Sequence, residues 1–217
     1  MDVERFFREL PGLFDDFPDS ELPRDGRFAG TLEAVPGLAR PNNLALLNLA
    51  ARCLAPGECY VEVGTYRGTS LIAAMLGNED KEFVALDNWS LDDGGPEQLD
   101  ANLARYGLAG KPALLEGDAH ETLRSDALAG RRVGVYYYDD GHEFEQQLDG
   151  LRLIEPYLAS PALLLVDDSD WERVAAANAA YLAGAPRAEQ VLRLEGGDHG
   201  RPWWWAGVTA IAWDRNR

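Results

Sequence analysis

Carboxylates recur at one kind of position along this chain. Glu62 lies near the end of the apolar run CYVEV, and Gly64 and Gly68 follow it at the spacing E-x-G-x-x-x-G. Asp87 ends EFVALD, Asp118 follows PALLEG, Asp139 and Asp140 follow VGVYYY, and Asp167 and Asp168 follow ALLLV. His142 stands three residues after Asp139. Each acid falls where an apolar run gives way to a helical pattern. Oxygen donors gathered in this way suit hydroxyls, amines and hard cations. An imidazole beside them suits proton transfer near neutral pH, because its free pKa is about 6.5.

Those acids share a rim only if the elements behind them share a sheet. From Pro41 onward, short apolar runs alternate with stretches of helical spacing five times. EQVLRLEGG and GVTAIAWD then follow as two strands with no helix between them. Strands that are apolar throughout and joined by helices imply a parallel sheet covered on both faces. The expected fold class is three-layer α/β/α and Rossmann-like, with seven mostly parallel strands and an antiparallel strand near the C-terminus. Ligands on such sheets bind at the carboxyl ends of the strands. PNNLALLNLAARCL reads as a helix capped by Asn42 or Asn43. EFEQQLDGLRLIEPYL reads as a helix with Phe144, Leu148, Leu151 and Leu158 on one stripe. Residues 1–40 carry four prolines and read as a short helix followed by an irregular arm or lid, with 41–217 as the main domain.

The first loop can now be interpreted. Gly64 permits a tight turn, Gly68 permits close approach of a ligand or helix, and Thr69 and Ser70 are expected to cap the helix. The spacing is not G-x-G-x-x-G, and no Lys follows, so neither a dinucleotide fingerprint nor a phosphate loop is present. Asp87, about twenty residues on, is placed to accept hydrogen bonds from both hydroxyls of a ribose. Asp118 is positioned for an exocyclic amine of a base.

The segments VEVGTYRGTS, ALDNW, EGDA, YYYDDGHEFE and LLLVDD together resemble the class I S-adenosylmethionine-dependent methyltransferases over roughly residues 42–214. Within them, Asp-x-x-His resembles the branch of macrocin-type sugar O-methyltransferases and proteins labelled cephalosporin hydroxylase. The resemblance implies S-adenosylmethionine as cofactor. Its methionine end would be held around Glu62, Gly64, Thr65, Tyr66, Gly68, Thr69 and Ser70. Its ribose would lie by Asp87, Asn88 and Trp89, its adenine by Gly117, Asp118 and Ala119, and its reactive end by Asp139. It further implies Mg²⁺ or a similar divalent cation on Asp139, Asp167 and Asp168, with His142 as the general base acting beside Asp139. Asp140 is an alternative to Asp139, because relatives have Gly in its place. The implied acceptor is a small-molecule hydroxyl: a sugar, a phenol or a natural-product intermediate. Two other readings are a protein that binds the adenosyl cofactor without transfer, and an NAD-dependent oxidoreductase on a similar sheet.

Composition narrows the partners. Hydrophobic residues make up 46% and charged residues 26% of the 217, which is ordinary for a globular chain with a sizeable core. The net charge of −17 repels phosphate backbones, so no nucleic-acid partner is expected. No apolar run approaches the ~20 residues of a membrane helix, and the N-terminus lacks the pattern of a secretion signal. The expectation is a cytoplasmic protein without a membrane partner. Cys53 and Cys59 read as small core residues. The three consecutive indoles Trp203 to Trp205 cannot share one face of a strand. They are divided between core, pocket and the interface of a possible homo-oligomer.

Overall fold

The strands are β1 (Cys59–Val63), β2 (Glu82–Asp87), β3 (Ala113–Glu116), β4 (Val133–Tyr138), β5 (Leu158–Val166), β6 (Ala188–Leu194) and β7 (Val208–Trp213). They form one sheet in the order β3-β2-β1-β4-β5-β7-β6. The computed structural model describes residues 1–91 and 95–217. β1 to β5 are mutually parallel, and β7 runs antiparallel to both of its neighbours. The helices α4 (Thr69–Met75), α5 (Gly95–Arg105), α6 (Ala119–Arg124), α7 (Phe144–Leu153) and α8 (Glu172–Gly184) each follow one parallel strand. Strand order reverses between β1 and β4, so a crevice opens there at the carboxyl ends.

Alternate side chains of each strand enter one of two apolar layers. Tyr60, Phe83, Ala85, Val135 and Tyr137 join the layer on one face, while Val61, Val63, Val84, Leu86 and Tyr136 join the other. Burial on both faces accounts for strands that are apolar at nearly every position. Three helices precede the sheet: α1 (Val3–Glu9), α2 (Arg27–Ala34) and α3 (Pro41–Arg52). Residues 1–40 are therefore more regular than their prolines suggested. Phe6, Leu10, Phe14 and Phe28 are buried in the same cluster as Tyr60. Among the described residues, no helix is long and apolar enough to cross a membrane.

Several local expectations are corrected. Leu158 is not on the α7 stripe but opens β5, paired with Val133. The helix stops because Pro156 lacks an N–H, and residues 155–157 form a single 3₁₀ turn. Arg40, not Asn42 or Asn43, occupies the N-cap of α3, because Pro41 fits the first helical position, where no N–H is needed. Thr69 and Ser70 do not cap α4. Gly68 holds that position at φ 86°, the Thr69 hydroxyl donates to Val35 O at 2.8 Å, and the Ser70 hydroxyl donates to Glu62 at 2.8 Å. The indoles Trp203 and Trp204 lie in a 3₁₀ turn ahead of β7.

Candidate active site

A cavity of about 460 Å³ opens at the switch point. Its wall is contributed by the loop after β1 (Gly64, Thr65, Tyr66, then Thr69 and Ser70 of α4) and the end of β2 (Asp87, Asn88). The loop after β4 adds Asp139, Asp140 and His142, and the end of β5 adds Asp168. Four of the five parallel strands thus deliver polar groups to one hollow.

The loop after β1 is held tightly. Gly64 has φ 86°, and a Cβ there would lie 1.9 Å from Asp139 O. Gly64 N donates to Leu86 O at 3.0 Å, and Asp139 N donates to Val63 O at 3.0 Å. Asp87 organises two loops at once. One carboxylate oxygen accepts the Tyr66 N–H at 2.5 Å and the other accepts the Trp89 N–H at 2.6 Å. Each oxygen keeps a second lone pair for the cavity. The Trp89 indole N–H donates to Tyr66 O at 3.1 Å, so this ring braces the loops and is not on the wall.

Other expected residues sit elsewhere. Gly68 faces Leu99 of α5, where a Cβ would come within 2.4 Å of its Cδ1. Asp118 caps α6 by accepting the Glu121 N–H at 2.9 Å, and neither it nor Gly117 or Ala119 lines the cavity. His120 contacts Gln146 O at 2.8 Å, away from the wall.

Glu62 lies beneath the wall, with 0% of its surface exposed. Tyr60 Oη donates to it at 2.9 Å and Ser70 Oγ at 2.8 Å. Burial pushes its carboxyl pKa up to about 8. The folded pKa is raised, so the stability carried by the neutral form is intact below pH about 4.5. That stability erodes as pH rises and is gone once pH passes about 8. Glu62→Gln removes this titration. Its melting temperature relative to the native protein should climb between pH 5 and 8 and level off above. By linkage the gap grows by about 1.4 kcal/mol per pH unit at most. A pH-independent difference in thermal melts would contradict the buried neutral carboxyl.

Asp167 is likewise turned inward. Its Oδ2 accepts the Tyr137 hydroxyl at 2.5 Å, and its Oδ1 accepts the Asp168 N–H at 3.0 Å. Burial raises its pKa well above the carboxylate range. Asp168, at φ 47°, turns the other way into the cavity. Its Oδ2 lies 2.8 Å from His142 Nε2, and Asp139 Oδ1 lies 3.9 Å from the same nitrogen. The two carboxylates, Asp139 and then Asp168, raise the imidazole pKa to about 10, although the shorter contact is with Asp168. As arranged, His142 keeps its proton at neutral pH. It can accept one from a substrate only when the charge of the carboxylates is compensated.

Sequence reasoning missed several wall residues. Gly37, Leu38 and Ala39 come from the segment before α3, Tyr137 from within β4, and Trp171 from the start of α8. Of the three consecutive indoles, among which a pocket residue was expected, Trp205 reaches the wall from the loop before β7. That loop is pinned to the end of β5: the buried Asp170 accepts the Gly196 N–H at 2.7 Å and pairs with Arg193 at 2.6 Å. Non-glycine residues with positive φ number four among those described: Tyr66, Trp89, Asp168 and Trp205. Three of them line the cavity and the fourth braces it, as expected where a surrounding structure holds a functional site under strain.

The family model described as a methyltransferase domain matches residues 61–169, half of the chain. The chain belongs to this family, the S-adenosylmethionine-dependent methyltransferases of class I. Among solved structures, it is similar to the O-methyltransferase of Bacillus cereus in complex with S-adenosylhomocysteine. That match has a TM-score of 0.67 and 13% identity, and covers 88% of this chain and 92% of the other. The S-adenosylhomocysteine-bound methyltransferase PaMTH1 of Podospora anserina gives a TM-score of 0.66 at 19% identity, over 98% of this chain and 95% of the other. CalS11, a TDP-rhamnose 3′-O-methyltransferase of calicheamicin biosynthesis, gives 0.58 at 19%, over 99% and 93%. At these identities the structures establish the shared fold. No curated protein sequence matches this chain.

Proposed function

We propose that the protein transfers a methyl group from S-adenosylmethionine to a hydroxyl oxygen of a small acceptor. The observation that carries this reading is the single cavity that joins the β1 loop, Asp87, Asp139, His142 and Asp168. The donor supplies a methyl on a sulfonium, and its displacement requires acceptor oxygen, methyl carbon and sulfur in line. Asp87 holds the ribose, with its two backbone hydrogen bonds fixing the carboxylate beforehand. The β1 loop from Gly64 to Tyr66 and the hydroxyls of Thr69 and Ser70 surround the methionine end. Leu38 and Leu91, 58% and 61% exposed, offer apolar surface to the purine. The O-methyltransferase names of the Bacillus cereus protein and CalS11 support oxygen as the acceptor atom.

Asp139, His142 and Asp168 prepare that oxygen. Their ligand atoms all lie within 4.8 Å of one another. Asp168 Oδ1 is buried without a hydrogen-bond partner, while Oδ2 of the same carboxylate faces His142 Nε2. Two carboxylates and an imidazole around such an orphaned oxygen fit a divalent cation. Asp167, whose oxygens are engaged by Tyr137 and the Asp168 amide, supports the cluster from behind. Bound there, the cation supplies Lewis acidity that lowers the pKa of an acceptor hydroxyl. The acidic cluster also favours the positive sulfonium beside it.

Calorimetry tests the reading. The native protein should bind S-adenosylhomocysteine and not NAD. Asp87→Ala should weaken S-adenosylhomocysteine by about 10- to 100-fold, the range for hydrogen bonds to a charged acceptor. Binding of NAD in place of the adenosyl compound would overturn the assignment.

A further inference from the structure

A second hollow of about 330 Å³ adjoins the cavity. Trp171 and Trp205 are walls of both, and Arg40, Gly197, Pro202 and Ala206 complete the second. Trp171 is 46% exposed and its ring lies 4.6 Å from that of His142. The surface leading from the reactive cluster into the hollow is therefore aromatic. Trp205 sits in a turn closed by the Gly207 N–H on Trp204 O at 3.0 Å. Its φ of 55° and ψ of −123° are those of the position that type II′ turns give to glycine. A side chain held there has its indole fixed on the wall at a cost in backbone strain.

Arg40 stands at the far end. Its guanidinium lies 5.4 Å from the Trp205 ring centre, and its Nε donates to Pro202 O at 3.1 Å. Among the described residues it pairs with no carboxylate, in a chain that carries seventeen more negative than positive charges. Nε is committed to Pro202 O, which leaves the donors of the two terminal amino groups to meet a ligand in the hollow that Arg40 lines. The N-cap of α3 is Arg40 itself, so the positive end of that 12-residue helix adds to the local potential. A planar fork at the end of two indole walls matches an oxyanion carried on a ring.

We propose that this hollow is an acceptor subsite. It takes a carboxylate or phosphate borne on an aromatic or sugar ring, with Arg40 binding the oxyanion and Trp171 and Trp205 stacking on the ring. The inference rests on the methyl-transfer reading and specifies its acceptor as an anionic small molecule. Stacking on either indole carries the ring back toward His142, where the hydroxyl to be methylated would lie.

Calorimetry on the protein saturated with S-adenosylhomocysteine provides the test, with phenyl phosphate, benzoate and neutral benzyl alcohol as probes. At least one anionic probe should bind tenfold or more tightly than the alcohol, and Arg40→Gln should erase that preference. Whichever of phosphate or carboxylate binds better identifies the oxyanion. Retained binding of S-adenosylhomocysteine by the variant shows that it is folded. A preference that survives Arg40→Gln, or no preference at all in the native protein, overturns the subsite while leaving methyl transfer standing. Failure of the native protein to bind S-adenosylhomocysteine overturns both.

Discussion

Asp139→Ala is expected to lower methyl-transfer turnover by about 10²- to 10³-fold, the loss typical of removing one preorganised electrostatic group. The backbone of Asp139 is fixed by its N–H on Val63 O at 3.0 Å, and its Oδ2 lies 3.2 Å from the Tyr137 hydroxyl, whose shorter contact is with Asp167. Burial raises its pKa, so an ionised carboxylate there is costly unless a positive charge faces it. His142 supplies that charge in the protein alone, and a divalent cation would supply it during turnover. In the proposed function, removing Asp139 would cut a cation ligand and loosen the hold on the imidazole together. Activation by added Mg²⁺ or Mn²⁺ and inhibition by a chelator should vanish with the turnover. Affinity for S-adenosylhomocysteine should change far less. Asp168→Ala should act in the same direction, and the double variant should be little worse than either single one, because the groups work as a unit. A metal-binding titration followed by calorimetry gives a readout independent of turnover. Unchanged turnover together with an unchanged chelator response would remove Asp139 from the mechanism.

The sheet and its acidic rim were legible because both are local properties. An apolar run followed by an acid and a helical pattern states where a parallel strand ends, whatever the strand's neighbours are. Which way each acid points was not legible. Glu62 is still inside β1, where side chains alternate, so it shares a face with Tyr60 and enters the helical layer. Asp139 lies one residue past β4 and escapes that alternation. Asp167 and Asp168 are adjacent and face opposite ways, and which of the two enters the cavity depends on what lies on each side of the sheet's edge, which nothing in their neighbours' identities announces. Asp118 went to the cap of α6, a use that Asp serves equally well in any loop. The remaining walls come from far along the chain. Gly37 to Ala39 reach the site because Thr69 binds Val35 O, and Trp205 because Asp170 ties the loop before β7 to the end of β5. Such contacts have no periodic signature.

Gly64→Ala should be the most damaging single-methyl change in the site. Two separate costs fall on it. At φ 86° any L side chain is strained, by roughly 1 kcal/mol or more. The new Cβ would also sit 1.9 Å from Asp139 O and 2.6 Å from its carbonyl carbon. Those are backbone atoms, and both partners are tied into the sheet by the hydrogen bonds of Gly64 to Leu86 and Asp139 to Val63. No rotamer change relieves the collision, so β1 and β4 must part at the switch point. Overpacking of this kind typically costs a further 1–3 kcal/mol or so. The sum of about 2–4 kcal/mol corresponds to a melting-temperature drop of roughly 5–15 °C for a chain of this size. Loss of S-adenosylhomocysteine binding should accompany it, since the displaced β1 loop carries Tyr66, whose N–H fixes the Asp87 carboxylate. Gly107→Ala separates the two costs: it has φ 71° but nothing within 4 Å of the added Cβ. That variant should show the strain alone, about 1 kcal/mol, with full ligand affinity. If Gly64→Ala melts with Gly107→Ala and binds S-adenosylhomocysteine as the native protein does, the ends of β1 and β4 do not meet, and the cavity between them loses its floor.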